Sequence, residues 1–221
     1  MKTSKIVKES MLWVIVLIPL AYLGFVWNEL PAQVPLHFNI RGEADGWGSR
    51  QELFWLILLT TAGLNLLLLL IPTIDPKRKL QKMGSKYTQL RFILVFFTAA
   101  IGLFIISNAV REGGLQFNGL IILLGFFFAL LGNYFQALKP NYFIGIRTPW
   151  TLESESVWRK THRLGGRLWM VGGLGLVLLS FLPDTAVRHA LFLALIGILA
   201  LAPVLYSFIA SKKQEQLEQH S

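Results

Sequence analysis

The chain has 221 residues, of which 54% are hydrophobic and only 15% charged, with a mean hydropathy of +0.55. It holds no cysteine, which excludes disulfide frameworks, thiolate nucleophiles and cysteine-bound zinc. The net charge of +9 would suit nucleic acid in a soluble protein, but in so apolar a chain the placement of charge says more than its sum.

Six runs lack charged residues: 11–28, 53–72, 92–110, 119–138, 168–183 and 190–210. Each approaches the ~20 residues that carry a helix across a ~30 Å hydrocarbon core. The run at 168–183 is the shortest, and Arg167 can extend it by snorkelling to the headgroups. Unpaired backbone groups are not tolerated in lipid, and the apolar residues go all round rather than alternating, so helices are expected and a barrel is not. The first run is longer than a signal peptide's core and no Ala-x-Ala site follows it, so it is expected to remain as a span.

Of the 21 Lys and Arg residues, 17 fall in the N-terminus, the loop 73–91, the segment 139–167 and the tail 211–221. Arg41, Arg50, Arg111 and Arg188 fall on the other side. The positive-inside rule then places both termini in the cytoplasm. The expectation is an all-α polytopic protein: a six-helix bundle over 1–210, N-in and C-in, as a single membrane domain with a polar cytoplasmic tail. None of the six runs holds a deep ionisable residue. Asn65, Thr60, Thr61, Asn108, Asn133 and Gln136 read as interhelical hydrogen-bonding groups, Gly172, Gly173 and Gly175 as a close-packing surface, and Pro203 as a kink.

Two connecting segments are too elaborate for connectors. The first, 29–52, contains LPAQVPLHFNIRGEADGWGSR. Val34, Leu36, Phe38 and Ile40 alternate with polar residues and Pro35, which reads as a short half-buried strand. Asp45-Gly46 reads as a tight turn, and Trp47 suits the headgroup layer. The segment is net acidic, and its apolar content predicts a small ordered extracytoplasmic cap. His37, Glu43 and Asp45 have the chemistry of a metal site without a recognised ligand spacing, so a hydrogen-bonded histidine is favoured.

The second segment is NYFIGIRTPWTLESESVWRKTHRLGGRLW, residues 141–169. Thr148 before Pro149 reads as a helix start, with Thr151 as a second candidate cap. Arg159, Arg163 and Arg167 line one face of a cytoplasmic amphipathic helix at about 150–164, which Gly165-Gly166 would end. Such a helix can grip anionic lipid or dock a cytoplasmic partner.

These two stretches carry a resemblance. The first is similar to the LPxxVPxHFxxxGxxDxW pattern of a bacterial membrane domain of unknown function. The second resembles the NxxGIRTPWTLxSxxVWxxTH signature of the SdpI family, bacterial membrane proteins of immunity and signalling. The resemblance implies a multi-pass protein of the bacterial cytoplasmic membrane that protects against a secreted peptide toxin. It also implies signalling through a cytoplasmic ArsR-type repressor held at the membrane. On that basis the toxin-facing candidates are Pro31, Val34, Pro35, His37, Phe38, Asn39, Gly42, Asp45 and Trp47. The partner-facing or coupling candidates are Asn141, Gly145, Arg147, Thr148, Pro149, Trp150, Thr151, Trp158, Thr161 and His162.

Membrane lipid is an expected partner; direct nucleic-acid contact, a cofactor and a metal are not expected. A transporter or exporter of a peptide or lipid remains an alternative, although no buried charge or nucleotide-binding loop supports active transport. An intramembrane hydrolase would have only His162 with Glu153 or Glu155, or His37 with Asp45, as its acid–base pair.

Overall fold

The computed structural model describes residues 2–39, 44–111 and 117–219. Its elements in chain order are α1 (Lys2–Phe25), β1 (Gln33–Phe38), β2 (Ala44–Ser49), α2 (Arg50–Leu58), a π turn (Leu59–Gly63), α3 (Leu64–Ile74), α4 (Lys79–Lys82), α5 (Ser85–Val110), α6 (Phe117–Phe135), α7 (Pro149–Glu153), α8 (Glu155–Leu179) and α9 (Ala186–Gln219). Among the described residues, five helical stretches are long and apolar enough to cross a membrane: Lys5–Phe25, Arg50–Ile74, Ser85–Val110, Phe117–Phe135 and Ala186–Leu217. The expected fifth run, 168–183, lies largely in the apolar C-terminal half of α8, whose other half carries Arg159, Lys160, Arg163 and Arg167. Large apolar side chains such as Val14, Leu17, Leu67, Leu70, Leu201 and Leu205 are exposed, as a lipid-facing surface requires.

The described chain divides into two compact units, 1–76 with 88–123, and 77–87 with 124–221. In the first, Leu23, Val26, Leu30, Val34, Leu53, Ile57, Ile106 and Ala109 form one buried cluster. Val34 is fully buried and ties the hairpin to α1, α2 and α5. At about 25 cal/mol per Å2, burying one such side chain stabilises by roughly 2 kcal/mol. A second cluster, Leu12, Val16 and Val95, joins α1 to α5.

Beside it lies a polar group that the pattern of runs did not reveal. Arg91, 4% exposed, meets Glu9 with both terminal nitrogens at 2.6 and 3.0 Å and donates to Asn65 Oδ1 at 2.9 Å. Both charged residues flank the uncharged runs by one or two positions, so counting charges within the runs passes over them. Asn65 bonds across helices as expected. Thr60, Thr61 and Asn108 instead donate to carbonyls of their own helices, at 2.6, 2.6 and 2.7 Å. Thr60 and Thr61 do so at the π turn, where the local hydrogen-bond ladder is irregular.

In the second unit, α6 and α8 approach through glycine. A Cβ on Gly132 would stand 2.4 Å from Met170 N and 2.6 Å from Gly166 O; one on Gly173 would stand 2.4 Å from Gly125 O. Gly172 packs instead against Leu199 of α9, where a Cβ would meet Leu199 Cδ2 at 2.5 Å. Helix α8 runs antiparallel to α9: Gly165 faces Pro203, Trp169 Nε1 donates to Leu199 O at 2.8 Å, and Gly175 faces Leu195. Helix α9 continues through Pro203 to Gln219, so the described part of the expected polar tail is helical.

Three local expectations are corrected. The expected amphipathic helix at about 150–164 is interrupted at Ser154, which is extended (φ −125°, ψ 120°) and caps α8 by accepting from Val157 N at 3.3 Å. Gly165-Gly166 does not stop the helix, because its neighbours Ile146 and Pro203 at one glycine and Gly132 at the other hold it in packed contact. Asp45-Gly46 lies inside β2 rather than at a turn. The structure is mostly helical, consistent with the expected all-α membrane protein, and the expected short strand is one arm of a two-stranded antiparallel hairpin.

Candidate functional site

Two arrangements are built from the segments singled out in the sequence. In the first, β1 and β2 pair with Val34 opposite Gly48, Pro35 opposite Trp47 and His37 opposite Gly46. The glycines are required by space. A Cβ on Gly46 would lie 2.8 Å from His37 Cβ, and one on Gly48 would lie 2.3 Å from Leu36 Cδ1. Ser49 then starts α2 with a reciprocal cap: Glu52 N donates to Ser49 Oγ at 3.2 Å and Ser49 N donates to Glu52 Oε2 at 2.6 Å. Such a cap stabilises a helix start by about 1 kcal/mol. Arg50 reaches back to the Leu30 and Pro31 carbonyls, closing the base of the hairpin.

Of the outer candidates, Val34 is buried and structural, while Pro31, Pro35, Phe38 and Asn39 are half-buried. Trp47 is 62% exposed. The His37 ring meets the Asp45 carboxylate at 2.5 Å on the exposed surface of the hairpin. The hairpin therefore presents an aromatic ring and an imidazole–carboxylate pair on a frame anchored by Val34. Gly42 and Glu43 lie outside the described residues.

The second arrangement is a knot of hydrogen bonds over 138–162. Asn141 organises it: its amide donates to Lys139 O and Ile144 O, both at 3.0 Å, and its oxygen accepts from Phe143 N at 2.9 Å and Ile144 N at 2.7 Å. Gly145 follows with φ +112°, a conformation that side chains disfavour. A Cβ there would also meet His162 Nε2 at 2.4 Å. Ile146 N donates to that same nitrogen at 3.0 Å, and His162 Nδ1 donates to Trp158 O at 2.9 Å. The imidazole is thus neutral, protonated on Nδ1, and stacked on Trp158 with centroids 4.0 Å apart. Burial pushes its pKa down to about 4, against a smaller opposing effect of the Trp158 carbonyl. Trp158 is itself fully buried and donates from Nε1 to Leu138 O at 2.9 Å.

Thr148 and Thr151 cap α7 reciprocally, with Pro149 at its first turn. Thr151 Oγ1 also donates to Ile146 O at 2.8 Å, and Thr148 Oγ1 donates to Ser207 Oγ of α9 at 3.0 Å. Trp150 lies edge-on to Phe208 at 5.1 Å. Outside the knot, Arg147 holds the Tyr142 carbonyl, and the Tyr142 hydroxyl accepts from Lys77 Nζ at 2.9 Å, which raises the lysine's pKa.

The structure brings Asn141, Gly145, Thr148, Thr151, Trp158 and His162 together, but as the interior of the knot. Thr161 is buried beside them. Of these candidates, Arg147 and Pro149 are exposed, and Gly145 and Trp150 are partly so. Tyr142 and Ser154 escaped the sequence reading; Ser154 was legible as a cap preceding an acidic first turn. His162 has both ring nitrogens engaged by backbone, which removes it as an acid–base partner for Glu153 or Glu155.

Apolar helices able to cross a bilayer, joined by folded polar segments, define a multi-pass integral membrane protein. Residues 137–207 match the SdpI/YfhL protein family, and residues 14–61 match a domain of unknown function, DUF1648. The C-terminal region of the chain, residues 137–207, belongs to the SdpI/YfhL family. Over 57 residues the chain is 40% identical to "Immunity protein SdpI" of Bacillus subtilis (strain 168), a match taking in 26% of this chain. The match spans 28% of the length of that curated relative. No solved structure matches the chain.

Proposed function

We propose that the protein is an immunity protein of the bacterial cytoplasmic membrane. In this reading the hairpin meets a secreted peptide toxin and the 138–162 knot relays the bound state to a cytoplasmic repressor of the ArsR type. The observation that carries the reading is the match of residues 137–207 to the SdpI/YfhL family, reinforced by the similarity to an immunity protein. The geometry supports a division of labour. The hairpin offers exposed Trp47 and the His37–Asp45 pair for a ligand, on a frame that burial of Val34 holds in place. The knot couples α7 to α9 through Thr148 and Ser207, so a shift of one helix end moves the other. Coupling requires a ligand that favours one arrangement over another.

The reading includes six crossings with both termini inside. Helix α8 supplies the sixth, entering at the level of Arg163 and Arg167. Its contacts with α9 from Gly165–Pro203 to Gly175–Leu195 favour this, since α9 is a candidate span and its antiparallel neighbour traverses the same depth.

Expression of the chain in a bacterial strain sensitive to a peptide toxin of this class tests the function. Survival should rise with the wild type and fall back with Trp47→Ala. Undiminished killing while the wild-type protein is verified in the membrane overturns the immunity reading for that toxin.

A further inference from the structure

The second unit contains a cavity of about 610 Å3, walled in part by the 138–162 knot, to which the immunity reading assigns no ligand. Its wall carries Lys79 and Lys82 from α4, Lys139 from the segment after α6, and Arg159 from α8. Among the described residues, the one carboxylate in the wall, Glu155, is already engaged by Arg159 at 3.2 Å. None of Lys79, Lys82 and Lys139 is ion-paired among the described residues. Lys79 is instead held over the Tyr142 ring at 5.2 Å, a cation–π contact that fixes its direction without neutralising it. Leu138, nearly buried, gives the cavity an apolar side.

Position narrows the ligand. The candidate membrane-crossing stretch Phe117–Phe135 ends one residue before Gln136, the first cavity residue of that segment, and α4 starts five residues after the stretch Arg50–Ile74 ends. The cavity thus opens where the hydrocarbon layer gives way to headgroups. Three uncompensated lysines around an opening at that level match a phosphodiester with an apolar tail. The volume also lies within the roughly 300–1,000 Å3 of small-ligand sites. We propose that this cavity binds the phosphate group of an anionic phospholipid headgroup. The lysines supply charge-assisted hydrogen bonds to the phosphate oxygens. The site rests on its own geometry, so its failure leaves the immunity reading untouched.

The test uses the full chain in a neutral detergent, where no charged surface attracts lipid, and native mass spectrometry to count bound lipid. Phosphatidylglycerol and phosphatidylcholine are titrated separately, and inorganic phosphate is added in competition. The variant Lys79→Gln/Lys82→Gln/Lys139→Gln is compared with the charge-matched control Lys86→Gln/Lys160→Gln/Lys213→Gln, whose lysines are exposed and outside the cavity. At about 1 kcal/mol per lysine, phosphatidylglycerol affinity should fall roughly a hundredfold in the cavity variant and by less than about twofold in the control. Lys82→Gln alone, on an exposed side chain, should cost about fivefold, and it serves if the triple variant loses its monodisperse elution. Equal losses in the two triple variants overturn the proposal, as does equal retention of phosphatidylcholine. Displacement of the lipid by inorganic phosphate at matching concentration also overturns it, because the site would then belong to a soluble anion.

Discussion

His162 is the residue on which the signature segment closes, since it receives Ile146 N, holds Trp158 O and stacks on Trp158. Its neutral form is the one built in, and its pKa of about 4 lies below the ordinary 6.5. Between those values the unfolded chain binds the proton and the folded chain does not. The contribution is therefore intact above pH 6.5 and is lost progressively as pH falls towards 4, by roughly 3 kcal/mol in all. Thermal unfolding in detergent from pH 7.5 to 4 should show the midpoint falling across that window. His162→Asn should start lower and lose most of this particular slope. An unchanged slope in the variant would assign the acid sensitivity elsewhere. The sequence displayed this residue inside a motif and suggested contact with a partner. Its interior position was not legible, because a histidine on a basic helix looks the same whether its ring turns to water or to Trp158.

Among the elements, the α6–α8 contact is the one most sensitive to a single atom, because glycine backbones face backbones there. Gly132→Leu places a branched side chain where Met170 N and Gly166 O stand. The helices must separate, and a destabilisation of about 3 kcal/mol or more is expected by thermal unfolding in detergent. Gly197→Leu, with nothing within 4 Å of its added Cβ, should stay within about 0.5 kcal/mol of wild type or improve on it. The cluster of Glu9, Arg91 and Asn65 joins α1 to α5 by an ion pair and α5 to α3 by a hydrogen bond. Glu9→Gln strands the buried guanidinium and should cost roughly 3–5 kcal/mol, while Glu9→Met with Arg91→Met should cost much less, which a double-mutant cycle would measure. Glycine packing in α8 was foreseeable from Gly172 and Gly173. The ion pair was not, since Glu9 and Arg91 are 82 positions apart and each resembles an ordinary flanking charge. The continuity of α8 was hidden for a related reason: Gly165-Gly166 is a stop signal by local propensity, and tertiary contact with Gly132, Ile146 and Pro203 overrides it.

For the molecule as a whole, apolar run length conveyed most of the helices and the asymmetry of Lys and Arg conveyed an orientation. Neither expressed whether the fifth run crosses, because its helix begins with polar turns. The number of crossings and the side of the C-terminus are one question. If α8 crosses, α9 returns the chain to the starting side; if it does not, α9 delivers the tail to the opposite side. Ser154 Oγ donates to Gln214 Oε1 at 3.0 Å, so the start of α8 and the end of α9 lie together. Antiparallel packing along the two helices then favours a complete crossing by both. The absence of cysteine makes the native chain its own background for labelling. Trp47→Cys, 62% exposed in the native residue, should react with a membrane-impermeant maleimide on intact cells. Gln81→Cys on α4 and Lys213→Cys on α9, both at exposed positions, should react only after permeabilisation. Labelling of Lys213→Cys on intact cells, with Gln81→Cys still protected, would mean an odd number of crossings. Because α4 and the signature segment share one cavity wall, that segment would stay with Gln81, and the result would contradict the Ser154–Gln214 contact that holds the end of α9 beside the start of α8.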